Sequence, residues 1–146
     1  MGTVRINLRK NWPLEFENEY GMFNFSPYYP EHVSTTTKFM IRPEHRGSII
    51  TLQFASFIYE FWRDNGIAFD FINVNSPLDL FYERLGYRKY KENFLHPEFG
   101  EVIPMVLVVF DVEYLRQVQS PFIAPGRDYQ SNREHIRFFH ERAAME

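Results

Sequence analysis

The chain has 146 residues, a length that suits one domain, and it is 45% hydrophobic and 24% charged, a balance that excludes an intrinsically disordered polymer. It has no cysteine, which removes disulfide stapling, thiol catalysis and cysteine-based zinc sites. Its 16 basic and 19 acidic residues leave a net charge of −3, the wrong sign for a nucleic-acid binder.

Thr3 to Leu8 alternate apolar and polar residues, the period of a half-buried strand. Residues 9–32 keep no sustained period and contain Pro13, Gly21, Pro27 and Pro30, which predicts a long loop rich in Phe and Tyr. Ser34 to Arg42 is β-branched and then apolar, a strand ended by Pro43. Gly47 to Asn65 has helical spacing, with Ile50, Phe54, Phe57, Ile58 and Phe61 on one stripe and Asn65-Gly66 as its stop. Ile67 to Val74 reads as a buried strand. Ser76-Pro77-Leu78-Asp79 then opens a helix with Ser76 as cap and Leu78, Phe81, Tyr82 and Leu85 inside, and Gly86 closes it. Strands are expected around Tyr87–Phe94 and Val102–Asp111, joined by a turn at 96–100, and then a short helix over Val112–Val118. Pro121 to Arg127 reads as a linker, and Ser131-Asn132-Arg133-Glu134 as a capping box opening a last helix to about Ala144. That helix has a narrow apolar stripe, which suits packing on the domain or on a second copy in a homodimer.

No apolar core of a secretory signal is visible near the amino terminus. The longest apolar run, Val102 to Phe110, is broken by Pro104 and far shorter than the ~20 residues of a membrane helix. A cytoplasmic protein with no membrane span is the expectation. His32, His45, His96, His135 and His140 share no ligand spacing on one helix face, so no metal site is expected.

Strands 34–42 and 67–74 are joined by a helix, which predicts a parallel pair with a right-handed crossover. The helix therefore starts at the carboxyl end of a strand, where α/β sheets hold phosphate groups. Pro43-Glu44-His45-Arg46-Gly47-Ser48 lies at that junction, with Gly47 for a tight turn and Arg46 for charge. Arg46 also reads as a surface partner of Glu44, Asn73 and Asn75 as strand-end residues, and Tyr82 as a core tyrosine.

The segment from Lys38 to Tyr87 resembles the acyl-binding core of the GNAT superfamily of N-acyltransferases, through its Arg-Gly loop and its Phe81-Tyr82-Glu83-Arg84-Leu85-Gly86-Tyr87 run. Arg42 to Ser48, Phe71-Ile72-Asn73, Pro104 to Leu107 and Tyr114-Leu115-Arg116 narrow the resemblance to the long-chain N-acyl amino acid synthase branch, related to the acyl-homoserine-lactone synthases. It implies an α/β (α+β) fold: a mixed, partly splayed sheet flanked by helices, here lacking that family's amino-terminal strand and helices. Residues 1–122 would form the acyltransferase domain and 123–146 a linker and terminal helix. The implied reaction moves a fatty acyl group from an acyl-carrier-protein or CoA thioester to a small amine, with an amino acid as one acceptor. No cofactor is held permanently; acyl-CoA or acyl-phosphopantetheine is a co-substrate.

The resemblance further implies that Phe39, Ile41 and Arg42 offer backbone to the pantetheine arm, that Arg46, Gly47, Ser48, Ile50 and Thr51 form the phosphate loop, and that Asn73 and Asn75 bind pantetheine or a water. Tyr82 would protonate the leaving thiolate. Glu31 is the chosen base, ahead of Glu17 and His32. Ile49 and Thr51 replace small residues of the family's loop and crowd a pyrophosphate, which favours an acyl-carrier-protein donor. The rival is a non-catalytic acyl-thioester-binding or assembly module with a degenerate GNAT fold.

Overall fold

A computed structural model describes residues 2–41, 49–124 and 126–145. The elements in chain order are β1 (Gly2–Leu8), α1 (Glu17–Tyr20), a 3-10 turn (Met22–Phe25), β2 (Val33–Ile41), α2 (Ile49–Asp64), β3 (Phe69–Val74), α3 (Leu78–Leu85), β4 (Arg88–Lys89), β5 (Phe94–His96), β6 (Gly100–Val108), α4 (Val112–Gln117) and α5 (Arg133–Met145). The sheet runs β1-β2-β3-β6-β4, with β5 added to β6 as a hairpin. β2 and β3 are parallel, as a strand–helix–strand order requires; the other pairs are antiparallel.

Strand alternation divides the interior into two cores. Ile72, Val74, Met105, Leu107 and Val109 pack on one side against Ala55, Ile58, Tyr59 and Trp62 of α2, with Leu85, Tyr87 and Leu115. Phe69, Phe71, Val106 and Val108 face the other side, under Tyr20, Met22 and Phe25 and under Phe139 of α5. Each large side chain removed from water there contributes roughly 1.5–3 kcal/mol.

Several local expectations are corrected. The 9–32 segment is not a structureless loop: α1 and the 3-10 turn lie within it. Glu17 braces this segment by accepting from the Leu14 N–H at 2.6 Å and the Tyr29 hydroxyl at 2.6 Å, while pairing with Arg9 at 2.9 Å. On α2, Phe57 is 71% exposed, because the buried stripe is Ala55, Ile58, Tyr59 and Trp62. On α3, Leu78 is 55% exposed and Asp79 is buried instead, paired with Lys89 at 2.8 Å. Ser76 does not cap α3; Pro77 holds that position. At α5 the cap is Asn132, whose Oδ1 accepts from the His135 N–H at 3.1 Å, while Ser131 accepts from the Val112 N–H at 3.1 Å. The strand expected over 87–94 is split into β4 and β5.

Gly66 and Gly86 end α2 and α3 with φ of +65° and +113°, a conformation glycine adopts at little cost.

Candidate functional site

β2 and β3 are hydrogen-bonded over only three positions, Val33 with Phe69, Ser34 with Asp70 and Thr35 with Phe71. β2 then continues to Ile41 and β3 to Val74. The two strands part beyond Thr35 and Phe71, leaving the facing backbone edges without a ladder between them. A parted parallel pair in the middle of a sheet is a cleft whose walls carry polar backbone groups, a natural seat for an extended, amide-bearing molecule.

Tyr82 lies on α3, half-buried on the helix side of the sheet, with its ring edge-on to Phe81 at 5.2 Å and to Tyr87 at 5.7 Å. Burial pushes its hydroxyl above the ordinary value of 10, so the phenol keeps its proton at neutral pH. Its place follows from the α3 stop. The Tyr87 N–H donates to the Tyr82 carbonyl at 3.0 Å, turning the chain through Gly86 and laying one tyrosine ring on the other.

Tyr87 leads to a group that the sequence reading did not single out. The Tyr87 hydroxyl donates to Oδ2 of Asp70 at 2.6 Å, the Thr36 hydroxyl donates to the same oxygen at 2.7 Å, and the Ser34 hydroxyl donates to Oδ1 at 2.5 Å. Asp70 is 0% exposed, and burial lifts its carboxyl from 3.8 to about 6, with the three hydroxyls opposing the rise. Tyr87 is raised well above 10, first by its own burial and then by the Asp70 charge, so the proton of this pair sits on the phenol. The available signal was a lone acid inside the apolar run Ile67–Val74, opposite a run of hydroxyl residues, Ser34 to Thr37.

The other candidates scatter. Asn73 points to the opposite face, where its Nδ2 donates to the Tyr20 hydroxyl at 2.6 Å. Asn75 follows β3 and donates to the carbonyls of Phe99 and Glu101 at 3.0 and 3.1 Å, tying the β3–α3 junction to the β5–β6 hairpin. Glu31 is exposed and precedes β2, at the end where the strands are still paired. His32 sits beside it, its Nδ1 2.9 Å from the Gly66 carbonyl. Arg42, Arg46, Gly47 and Ser48 lie outside the described residues, as do the side chains of Phe39, Ile41, Ile50 and Thr51. A separate open cavity of about 650 Å³, bordered by Arg116, Gln119, Ser120, Pro121, Ile123 and Arg127, holds none of these residues. No described helix is long and apolar enough to cross a membrane.

No family model matches the chain, and no curated protein matches it in sequence. Solved structures do match in shape. FeeM, an N-acyl amino acid synthase from uncultured soil microbes, superposes with a TM-score of 0.59 at 17% identity over 80% of this chain and 68% of its own. MesI, a CoA-dependent acyl-homoserine lactone synthase, gives 0.57 at 16% identity over 86% and 65%. BjaI, a CoA-dependent acyl-homoserine lactone synthase solved with SAM and isopentyl-CoA, gives 0.59 at 14% identity over 94% and 67%. The chain thus spans about two thirds of the length of the structures it matches. Its mixed sheet, flanked by helices, has the fold of these synthases.

Proposed function

We propose that the chain binds a fatty acyl thioester between β2 and β3 and transfers the acyl group to an amine, with an amino acid as the acceptor class. The observation that carries this reading is the three-position pairing of β2 with β3. The amide-bearing pantetheine arm would occupy the place of the missing ladder. The amine nitrogen attacks the thioester carbonyl carbon, a C–N bond forms and the C–S bond breaks. The departing thiolate takes the Tyr82 proton, which solvent restores to the phenolate. The proton released from the amine leaves through water, with the exposed Glu31 as the candidate acceptor. A CoA thioester and an acyl-carrier-protein thioester share the pantetheine arm that this cleft suits, and the co-substrate is one of the two.

The test is to incubate the full chain with long-chain acyl-CoA or acyl-carrier-protein thioesters and mixed amino acids, following free thiol and acylated products by mass. Product that falls at least ~100-fold in Tyr82→Phe, with thioester binding retained, supports the reading and the acid role. Thioester binding without product in the unaltered chain supports a non-catalytic acyl-binding module instead. One observation favours that second reading: the Asn73 amide is already engaged by Tyr20. Absence of thioester binding overturns both.

A further inference from the structure

Among the described residues, Asp70 takes part in no ion pair, and three hydroxyls are its hydrogen-bond partners. A buried charge kept without a cation is costly, and an apolar or amide side chain at the same place would avoid that cost. The position explains what is gained. Ser34 is the register partner of Asp70, and Thr36 is the first β2 residue beyond the pairing, so one carboxylate spans the point where the strands part. Its third partner, Tyr87, is the ring on which Tyr82 packs. Non-directional packing would leave the angle between the strands soft; three charge-assisted hydrogen bonds fix it.

We propose that Asp70 is the positioning residue of this cleft: its ionised carboxylate gathers Ser34, Thr36 and Tyr87, and so sets both the departure of β2 from β3 and the seat of Tyr82. The inference rests on the acyl-transfer reading for its kinetic consequence only. Protonated, Asp70 becomes a donor, and one of the three hydroxyls loses its acceptor, so the cluster must rearrange. The titratable groups around it are Tyr87 at the end of α3, Tyr82 behind Tyr87, and Tyr20 from the opposite face, whose own hydroxyl the Asp70 charge helps to raise. The phenols stay neutral below the ordinary tyrosine range, which leaves Asp70, at about 6, as the group of the cluster that titrates in mild acid.

The experiment follows Tyr82 by ring-labelled NMR and thiol release by kinetics, both across mild acid to neutral pH, in the full chain. The Tyr82 ring signal is expected to titrate with the Asp70 carboxyl, and kcat to fall on the acid side with the same midpoint. Asp70→Asn should abolish both transitions and lower kcat about tenfold. Thr36→Val removes one donor to the charged form and should move the midpoint up by about one pH unit, which keeps the test decisive if Asp70→Asn fails to fold. A Tyr82 signal that ignores the Asp70 titration, or a midpoint unmoved in Thr36→Val, overturns the proposal. A chain that releases no thiol from any donor, yet shows the coupled NMR titration, refutes acyl transfer and leaves the positioning role standing.

Discussion

Replacing Asp70 by Asn keeps the shape of the side chain and removes its charge, which turns the cost of the buried carboxylate into a measurable stability difference. The folded carboxyl sits at about 6 and its ordinary value is 3.8. At about 1.36 kcal/mol for each pH unit between them, the cost is about 3 kcal/mol. The sign is fixed by the raised value. Below 3.8 both folded and unfolded chains hold the proton and Asp70 costs nothing. Between 3.8 and about 6 only the folded chain holds it, so stability declines as pH rises through the folded value and is flat beyond. The stability of Asp70→Asn minus that of the unaltered chain should therefore climb by about 2 kcal/mol from about pH 4 to about pH 7, the first part of the cost being present already at about pH 4. Slopes from all other carboxylates cancel in that difference. Urea unfolding in steps from about pH 4 to about pH 8, with equal m-values in the two proteins, measures it. A difference that stays constant over that range would refute the assignment of a buried, charged Asp70.

Gly86→Ala places a Cβ 2.3 Å from Leu115 Cδ2 and 3.3 Å from Leu107 Cδ1 at a φ of +113°. Backbone strain and overpacking together should cost about 3 kcal/mol and lower Tm by about 10 °C, measured by calorimetry. Arg88 pairs with Asp111 and stacks on Tyr114 and Phe139, with centroid distances of 3.6 and 5.0 Å. Arg88→Met strands a buried carboxylate and should cost about 3 kcal/mol in urea unfolding, much of it recovered in the double variant with Asp111→Asn. His135 packs against Tyr28, Phe69 and Phe110, and burial, then the nearby His32, holds its pKa below the ordinary 6.5. Its contribution is complete above that value and is lost as pH falls through the folded one. Amide exchange in α5 should accelerate beyond the intrinsic rate from about pH 7 to about pH 5, and His135→Phe should remove the effect.

The parallel pair was legible because its two strands, one β-branched and the other apolar, are separated by one helix with a clear glycine stop. The splay was legible only through resemblance, since no residue period encodes where a ladder ends. Phasing of α2 was not legible: Phe54, Phe57, Tyr59, Phe61 and Trp62 spread aromatics around more than half of the helix, so hydropathy does not select which side is buried. At α3 the inside-out rule reverses, because Asp79 sits inside at the positive end of the helix and pairs with the Lys89 ammonium, while Leu78 and Leu80 stay outside. Asp70 escaped for a related reason. Its partners are 17 to 36 residues away, and hydroxyls on separate elements give no local pattern.

The alternation that hides Asp70 also divides the cleft by chemistry. Along β3, Asp70 points to the helix side with Tyr87, and Asn73 points to the aromatic side with Tyr20. A molecule held in the plane of the sheet, between strands that have parted, is touched from both faces at once. The helix face carries the negative charge and the phenols, and so bears on proton position. The aromatic face carries a neutral amide already bonded to Tyr20, whose hydroxyl burial pushes well above 10, and so bears on whether an amide-bearing ligand is admitted. On the acyl-transfer reading, proton transfer and ligand entry would fall to Asp70 and Asn73, three positions apart on one strand and so on opposite faces of the sheet.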